Sequence, residues 1–114
     1  MTITQEHRGS VCILNLKGTF VGKPAVSVFE RAVFDLLRDD MAHIILDLSG
    51  LKFIDSSGLG AMISAMVSVG RRDGALKLAA IQGDVQRIVK SMHLDQVFEF
   101  YDTVDGAEAS FGKK

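Results

Sequence analysis

The chain is poor in the features that give a small protein outside support. Cys12 is the only cysteine among 114 residues, so no internal disulfide can form. That usage fits a reducing cytoplasm, and a cytoplasmic location is expected. Charge of one sign is missing too, since 13 basic and 14 acidic residues leave a formal charge of −1. Without a dominant field, neither direct nucleic-acid binding nor an anionic membrane surface is expected as a partner. No apolar run approaches the roughly 18 residues that span a bilayer, which argues against membrane insertion. Residues 1–20 include Glu6, His7, Arg8, Asn15 and Lys17 and hold no uninterrupted apolar stretch, so no cleavable leader is expected. Repeats, low-complexity tracts and linker-length stretches are lacking as well. His7, His43 and His93 are scattered, each is expected at the surface or its boundary, and no metal or cofactor is expected.

What is present is enough for one ordinary core. Hydrophobic residues make up 47% of the chain and charged residues 24%, the balance of a soluble globular domain. A chain of this length suits a single domain over residues 1–114, able to bury one continuous core without staples.

Short turn signals divide the chain. Residues 2–8 alternate weakly, as an edge strand does, and Gly9-Ser10 leads into a β-rich run over 11–17, which together suggest an antiparallel hairpin. Gly18 to Lys23 reads as a loop, with Pro24 as the first helical residue. Val26, Phe29, Val33, Leu36 and Leu37 recur at helical spacing until Asp39-Asp40. His43–Leu48 is apolar on both faces, the pattern of a strand covered above and below. A second helical stripe comprises Leu59, Met62, Ile63 and Met66, ended by Gly70 and Gly74. The two methionines read as core filler or, for Met62, as a flexible partner contact. Leu76–Ile81 is a further strand. Val85, Ile88, Val89 and Met92 make a third helix, with Asp84 in its first turn. Val97–Tyr101 is a last strand, and 103–111 a terminal helix. The order β-β-α-β-α-β-α-β-α predicts an α/β domain with a mixed, mostly parallel sheet. Right-handed crossovers then place the helices largely on one face if the strand order advances in one direction.

The most informative segment is Ile44 to Gly60. An apolar strand ends in a polar, glycine-containing turn that opens into the second helix. Ser56 and Ser57 sit where that helix begins, just after Asp55. A serine there caps a helix, binds an anion, attacks a substrate or accepts a phosphate. The catalytic patterns do not fit. A nucleophile elbow needs Gly-x-Ser-x-Gly, whereas Ile54 precedes Ser56 by two residues and Asp55 precedes Ser57. The Gly-Lys-Ser/Thr end of a phosphate loop is absent, and Gly58-Leu59-Gly60 is followed by Ile63 where a dinucleotide fingerprint needs glycine. No base is spaced to activate a nucleophile, so the chain is not expected to be an enzyme. Capping remains, because Asp and Ser satisfy orphan N–H groups at a helix start; Gly58 and Gly60 would then allow close backbone approach. A phosphorylation switch remains as well. A phosphate adds about 1.5 to 2 negative charges. Near the positive end of a helix the fold tolerates that charge, while a partner docked over the turn meets a bulky dianion.

At Phe53-Ile54-Asp55-Ser56-Ser57-Gly58-Leu59-Gly60 the chain resembles a STAS domain, and more narrowly a bacterial anti-sigma factor antagonist. The similarity extends to the paired N-terminal strands closed by Leu16-Lys17-Gly18, the Ile44–Leu48 strand, Gly74–Leu78, and the Val85–Leu94 helix followed by Val97-Phe98. The resemblance implies a small mixed sheet with helices mainly on one side. It implies Ser56 as phosphoacceptor for an anti-sigma factor serine kinase, and a phosphatase that reverses the modification. Unphosphorylated antagonist would bind the anti-sigma factor and release a sigma factor. The implied partner surface comprises Asp55, Ser56, Ser57, Gly58, Leu59 and Gly60, with Phe20 and Lys23 beside them, on a monomer or weak homodimer. One segment departs from the pattern. Many antagonists carry Gly-Glu-Leu-Asp after the second strand, whereas this chain reads Gly18-Thr19-Phe20-Val21-Gly22-Lys23, without either acid. Lys23 is then a partner for a phosphate or an acidic surface, or a solvated side chain; Phe20 is an interface anchor or a packing residue. Two other functions stay open: a scaffold or subunit of a transporter or stress-signalling complex without phosphoswitching, and a small-molecule or nucleotide sensor at the helix start.

Overall fold

The computed structural model describes residues 1–112. The chain runs β1 (Thr2–Arg8), β2 (Val11–Phe20), α1 (Gly22–Arg38), β3 (His43–Ile54), α2 (Ser56–Gly70), β4 (Ala75–Ala79), α3 (Gly83–Ser91), β5 (Phe100–Tyr101) and α4 (Val104–Phe111). The five strands form one sheet in the order β1-β2-β3-β4-β5. β1 and β2 pair antiparallel across Gly9-Ser10, with Arg8 opposite Val11. The remaining pairs are parallel. Because the order advances in one direction, each right-handed crossover delivers its helix to the same side.

The period-two pattern of the strands sorts their side chains between two layers. Cys12, Leu14, Leu16, Ile44, Leu46, Leu48, Leu76 and Leu78 belong to the main core, together with the buried faces of α1, α2 and α3. Phe20 and Phe29 meet there with ring centroids 5.0 Å apart. Burial of each such side chain stabilises by about 1.5–3 kcal/mol. The alternate residues Val11, Ile13, Ile45 and Ala79 form a smaller cluster with Ala107 of α4. Helices therefore lie largely on one face, as expected, with α4 alone behind the sheet.

α4 fully buries one residue, Ala107, packs Val104 and Phe111 against the same small cluster, and adds polar contacts. The Arg8 guanidinium reaches Asp105 at 2.8 Å and Glu108 at 2.9 Å. The buried Lys77 ammonium donates to Ser110 Oγ at 2.6 Å and lies 4.2 Å from the Phe111 ring centroid. Phe111 in turn stacks on His43.

Several boundaries differ from the sequence expectation. β4 is Ala75–Ala79 and stops short of Ile81, where Ala80 turns to a φ of +59°. β3 does not end at Leu48; it continues through the polar Ser49-Gly50 to Ile54, because β2 extends beside it to Phe20 and supplies ladder partners. Two register shifts absorb the mismatch. Gly18 to Lys23 is consequently no loop: strand and helix are separated by Val21 alone. Helix α1 begins at Gly22, whose φ of +74° makes the sharp strand-to-helix corner that a Cβ would strain. Pro24 stands third in α1 instead of first. The last strand is Phe100–Tyr101, and residues 95–97 form a turn that carries Val97 into solvent.

Candidate functional site

The serine turn lies at the C-terminal ends of β2 and β3, where both parallel strands hand over to helices. Asp55 is the N-cap of α2, with extended backbone at φ −105° and ψ −177°. Its Oδ1 accepts from the Gly58 N–H at 2.9 Å and from the Ser57 hydroxyl at 2.6 Å. Its Oδ2 accepts from the Gly22 N–H at 3.2 Å, at the start of α1. One carboxylate thus joins two helix N-termini, the electropositive ends of both dipoles. The Asp55 carboxyl is held below its usual range, chiefly by the Ser57 hydroxyl and then by the Gly58 N–H. Backbone contacts complete the junction: the Asp55 N–H donates to the Phe20 carbonyl at 3.3 Å, and the Leu59 N–H to the Asp55 carbonyl at 3.0 Å.

The two hydroxyls are not equivalent. Ser57 Oγ donates to Asp55 and accepts from the Gly22 N–H at 3.2 Å, so it is part of the junction. Ser56 and Ser57 are both exposed, but the Ser56 hydroxyl makes no hydrogen bond among the described residues. A transferase approaching from solvent meets a free nucleophile at Ser56 and an occupied one at Ser57.

The remaining sequence-predicted residues divide by burial. Gly60 and Lys23 are exposed. Leu59 is buried in the core, and Gly58 is buried where a Cβ would stand 2.5 Å from the Phe20 carbonyl oxygen and 2.7 Å from Ile54 Cγ1. Gly58 is a close-approach glycine, as the capping reading required. Phe20 is fully buried against Phe29 and offers nothing to a docked partner. Its role as an interface anchor is therefore corrected to core packing, since its strand parity points it under α1. Met62 is also fully buried, which makes it core filler.

Sequence reasoning missed two apolar side chains at the rim. Val21 is 41% exposed and Phe53 44% exposed. Val21 lies between Phe20 and Gly22, both bonded to the turn, and Phe53 pairs with Thr19 one step before the junction. Composition of the segment held the signal for Val21, an unpartnered valine before a glycine. For Phe53 no sequence signal sufficed, because its facing depends on a register shift. No three metal-ligating side chains cluster among the described residues.

The family model described as STAS domain matches residues 2–107. An anti-sigma F factor antagonist of Paenibacillus polymyxa is 26% identical over 102 residues, 90% of this chain and 87% of that protein. The crystal structure of an anti-sigma factor antagonist from Mycobacterium paratuberculosis has a TM-score of 0.85 at 22% identity, covering 98% of this chain and 94% of that one. The Bacillus cell fate determinant SpoIIAA, solved in its phosphorylated form, has a TM-score of 0.75 at 18% identity, covering 96% and 99% respectively. At these identities the two structures establish a common fold, a five-stranded mixed sheet with its helices.

Proposed function

The chain belongs to the STAS domain family, and on that footing we propose that it is an anti-sigma factor antagonist switched by phosphorylation of Ser56. The observation that carries this reading is the contrast within the serine pair. Both side chains are exposed, but Ser57 is bonded to Asp55 and Gly22, while the Ser56 hydroxyl makes no hydrogen bond among the described residues at the same helix start. The relative from Paenibacillus polymyxa, aligned over nearly the whole chain, is an antagonist by name.

In this reading the unphosphorylated turn docks on a kinase-type anti-sigma factor and so frees a sigma factor. The kinase transfers the γ-phosphoryl group of ATP to Ser56 Oγ, which loses its proton, and ADP leaves. The new dianion sits at the positive end of α2, where the fold bears it. The docked surface, packed against that position, does not. A phosphatase hydrolyses the ester and restores the binding form. The chain acts as a binding protein and not as an enzyme, as one STAS domain over residues 1–114. Among the described residues no helix is long and apolar enough to cross a membrane, and we place the cycle in the cytoplasm.

The test uses the kinase-type anti-sigma factors encoded in the source genome. Incubation with ATP is expected to add one phosphate, located on Ser56 by mass spectrometry, and Ser56→Asp is expected to weaken the complex at least tenfold. Absence of phosphate on Ser56 together with an unweakened Ser56→Asp complex would sink the proposal.

A further inference from the structure

The two segments that frame Ser56 carry little acid for a surface that must release its partner on gaining a phosphate. In the segments 17–23 and 50–60 the single acidic residue is Asp55, and both of its oxygens are engaged by the helix starts. The same segments carry Lys17, Lys23 and Lys52, all exposed, of which Lys23 and Lys52 stand nearest the turn in sequence. None has an ion-pair partner among the described residues.

The backbone places these groups by a specific device. Along β3, Leu51 is buried and Ile54 is buried, yet Lys52 and Phe53 between them are both exposed. Regular alternation would turn Phe53 to the same side as Leu51. The register shift prevents it: Gly18 pairs with Leu51, but the next residue, Thr19, pairs with Phe53. Lys52 is the extra residue of that bulge, and Phe53 is turned outward by it. Bulges are a recognised means of re-aiming a side chain. Phe53 and Val21 then flank the turn in sequence, both exposed, and Gly60 in α2 has no atom within 4 Å of where its Cβ would stand.

Building on the antagonist reading above, we propose that this face binds an anti-sigma factor whose contact surface is apolar at its centre and acidic at its rim. Phe53 and Val21 fill the apolar part. Lys23 and Lys52 meet carboxylates. A phosphate on Ser56 then acts twice: it cancels the lysine field on its own face and repels the carboxylates opposite. Release becomes an electrostatic event that leaves the fold unchanged.

The experiment measures binding of the full-length chain to the same genome-encoded anti-sigma factor at 50 mM and 500 mM NaCl. Lys23→Glu with Lys52→Glu is expected to weaken binding about tenfold at low salt and only about twofold at high salt, because rim charges are screened. Lys23→Glu alone is expected to weaken it about threefold at low salt. An acid in the first turn of α1 favours that helix, so its loss of binding is not unfolding. Phe53→Ser is expected to cost about tenfold at both salts. Arg71→Glu, at the far end of α2, is the control for a general charge effect. If the lysine reversals tighten binding, or change it less than twofold at low salt, the acidic partner is wrong while the antagonist reading stands, provided wild type binds and Ser56→Asp does not. If wild type binds no such factor, both fail together.

Discussion

Gly58 and Gly60 stand two positions apart in α2 and meet opposite surroundings. A methyl group at Gly58 would collide with the Phe20 carbonyl and Ile54. Gly58→Ala is expected to destabilise by about 2–3 kcal/mol, since neither backbone nor β-branched neighbour yields easily. Gly60→Ala meets open space and should stabilise by about 0.5–1 kcal/mol through helix propensity. Urea denaturation of both variants checks the pair, and equal effects would refute the close-approach role. Asp55 supplies a pH signature. Its folded carboxyl is depressed by Ser57 and Gly58, so its contribution is present above the ordinary carboxylate range and is lost as pH falls through the folded value. The stability gap between wild type and Asp55→Asn is therefore expected to narrow as pH falls below the ordinary carboxylate value of about 4. A gap that stays constant over that interval argues against the depressed carboxyl. Asp55 as a cap and Gly58 as a close-approach glycine were legible in the sequence; Gly60, read the same way, stands in open space instead. That Ser57 is bonded and Ser56 free was not, because the deciding donor, the Gly22 N–H, comes from 35 residues away.

At the scale of elements, helices were the most readable. α2 was recognised from its stripe, and α1 and α3 were placed to within two residues at their starts, because a 3.6-residue period over many residues is hard to mimic. β3 was read six residues short, because Ser49-Gly50 resembles a turn unless a partner strand lies alongside. α4 tests how far polar contacts hold an element. Arg8 with Asp105 and Glu108, and Lys77 with Ser110 and Phe111, supplement the packing of Ala107, Val104 and Phe111. Partly exposed ion pairs weaken in salt. Hydrogen exchange at residues 107–111 is expected to accelerate at 1 M NaCl, and in Arg8→Gln at low salt, while α1 stays protected. Uniform acceleration of α1 and α4 would show that α4 is not a separate opening unit.

For the whole molecule, one cooperative transition is expected, since the main core runs without interruption from β2 to Phe98. Cys12 reports on it. The side chain is fully buried, and burial pushes its thiol up to about 11. Reaction with a thiol reagent at pH 8 should therefore be negligible in the native state and appear at the same urea midpoint as the loss of far-UV dichroism. Labelling well below that midpoint would reveal a separate opening of β2. The sequence by itself determined the class, the order of elements and the capped serine turn, because periodicity and local hydrogen-bonding chemistry act over a few residues. Only the tertiary structure decided which serine is free, that Phe20 belongs to the core, and that Phe53 and Lys52 face outward. Each of those depends on pairing between β2 and β3 or on a helix start brought from elsewhere in the chain, and such contacts leave no mark on either segment alone.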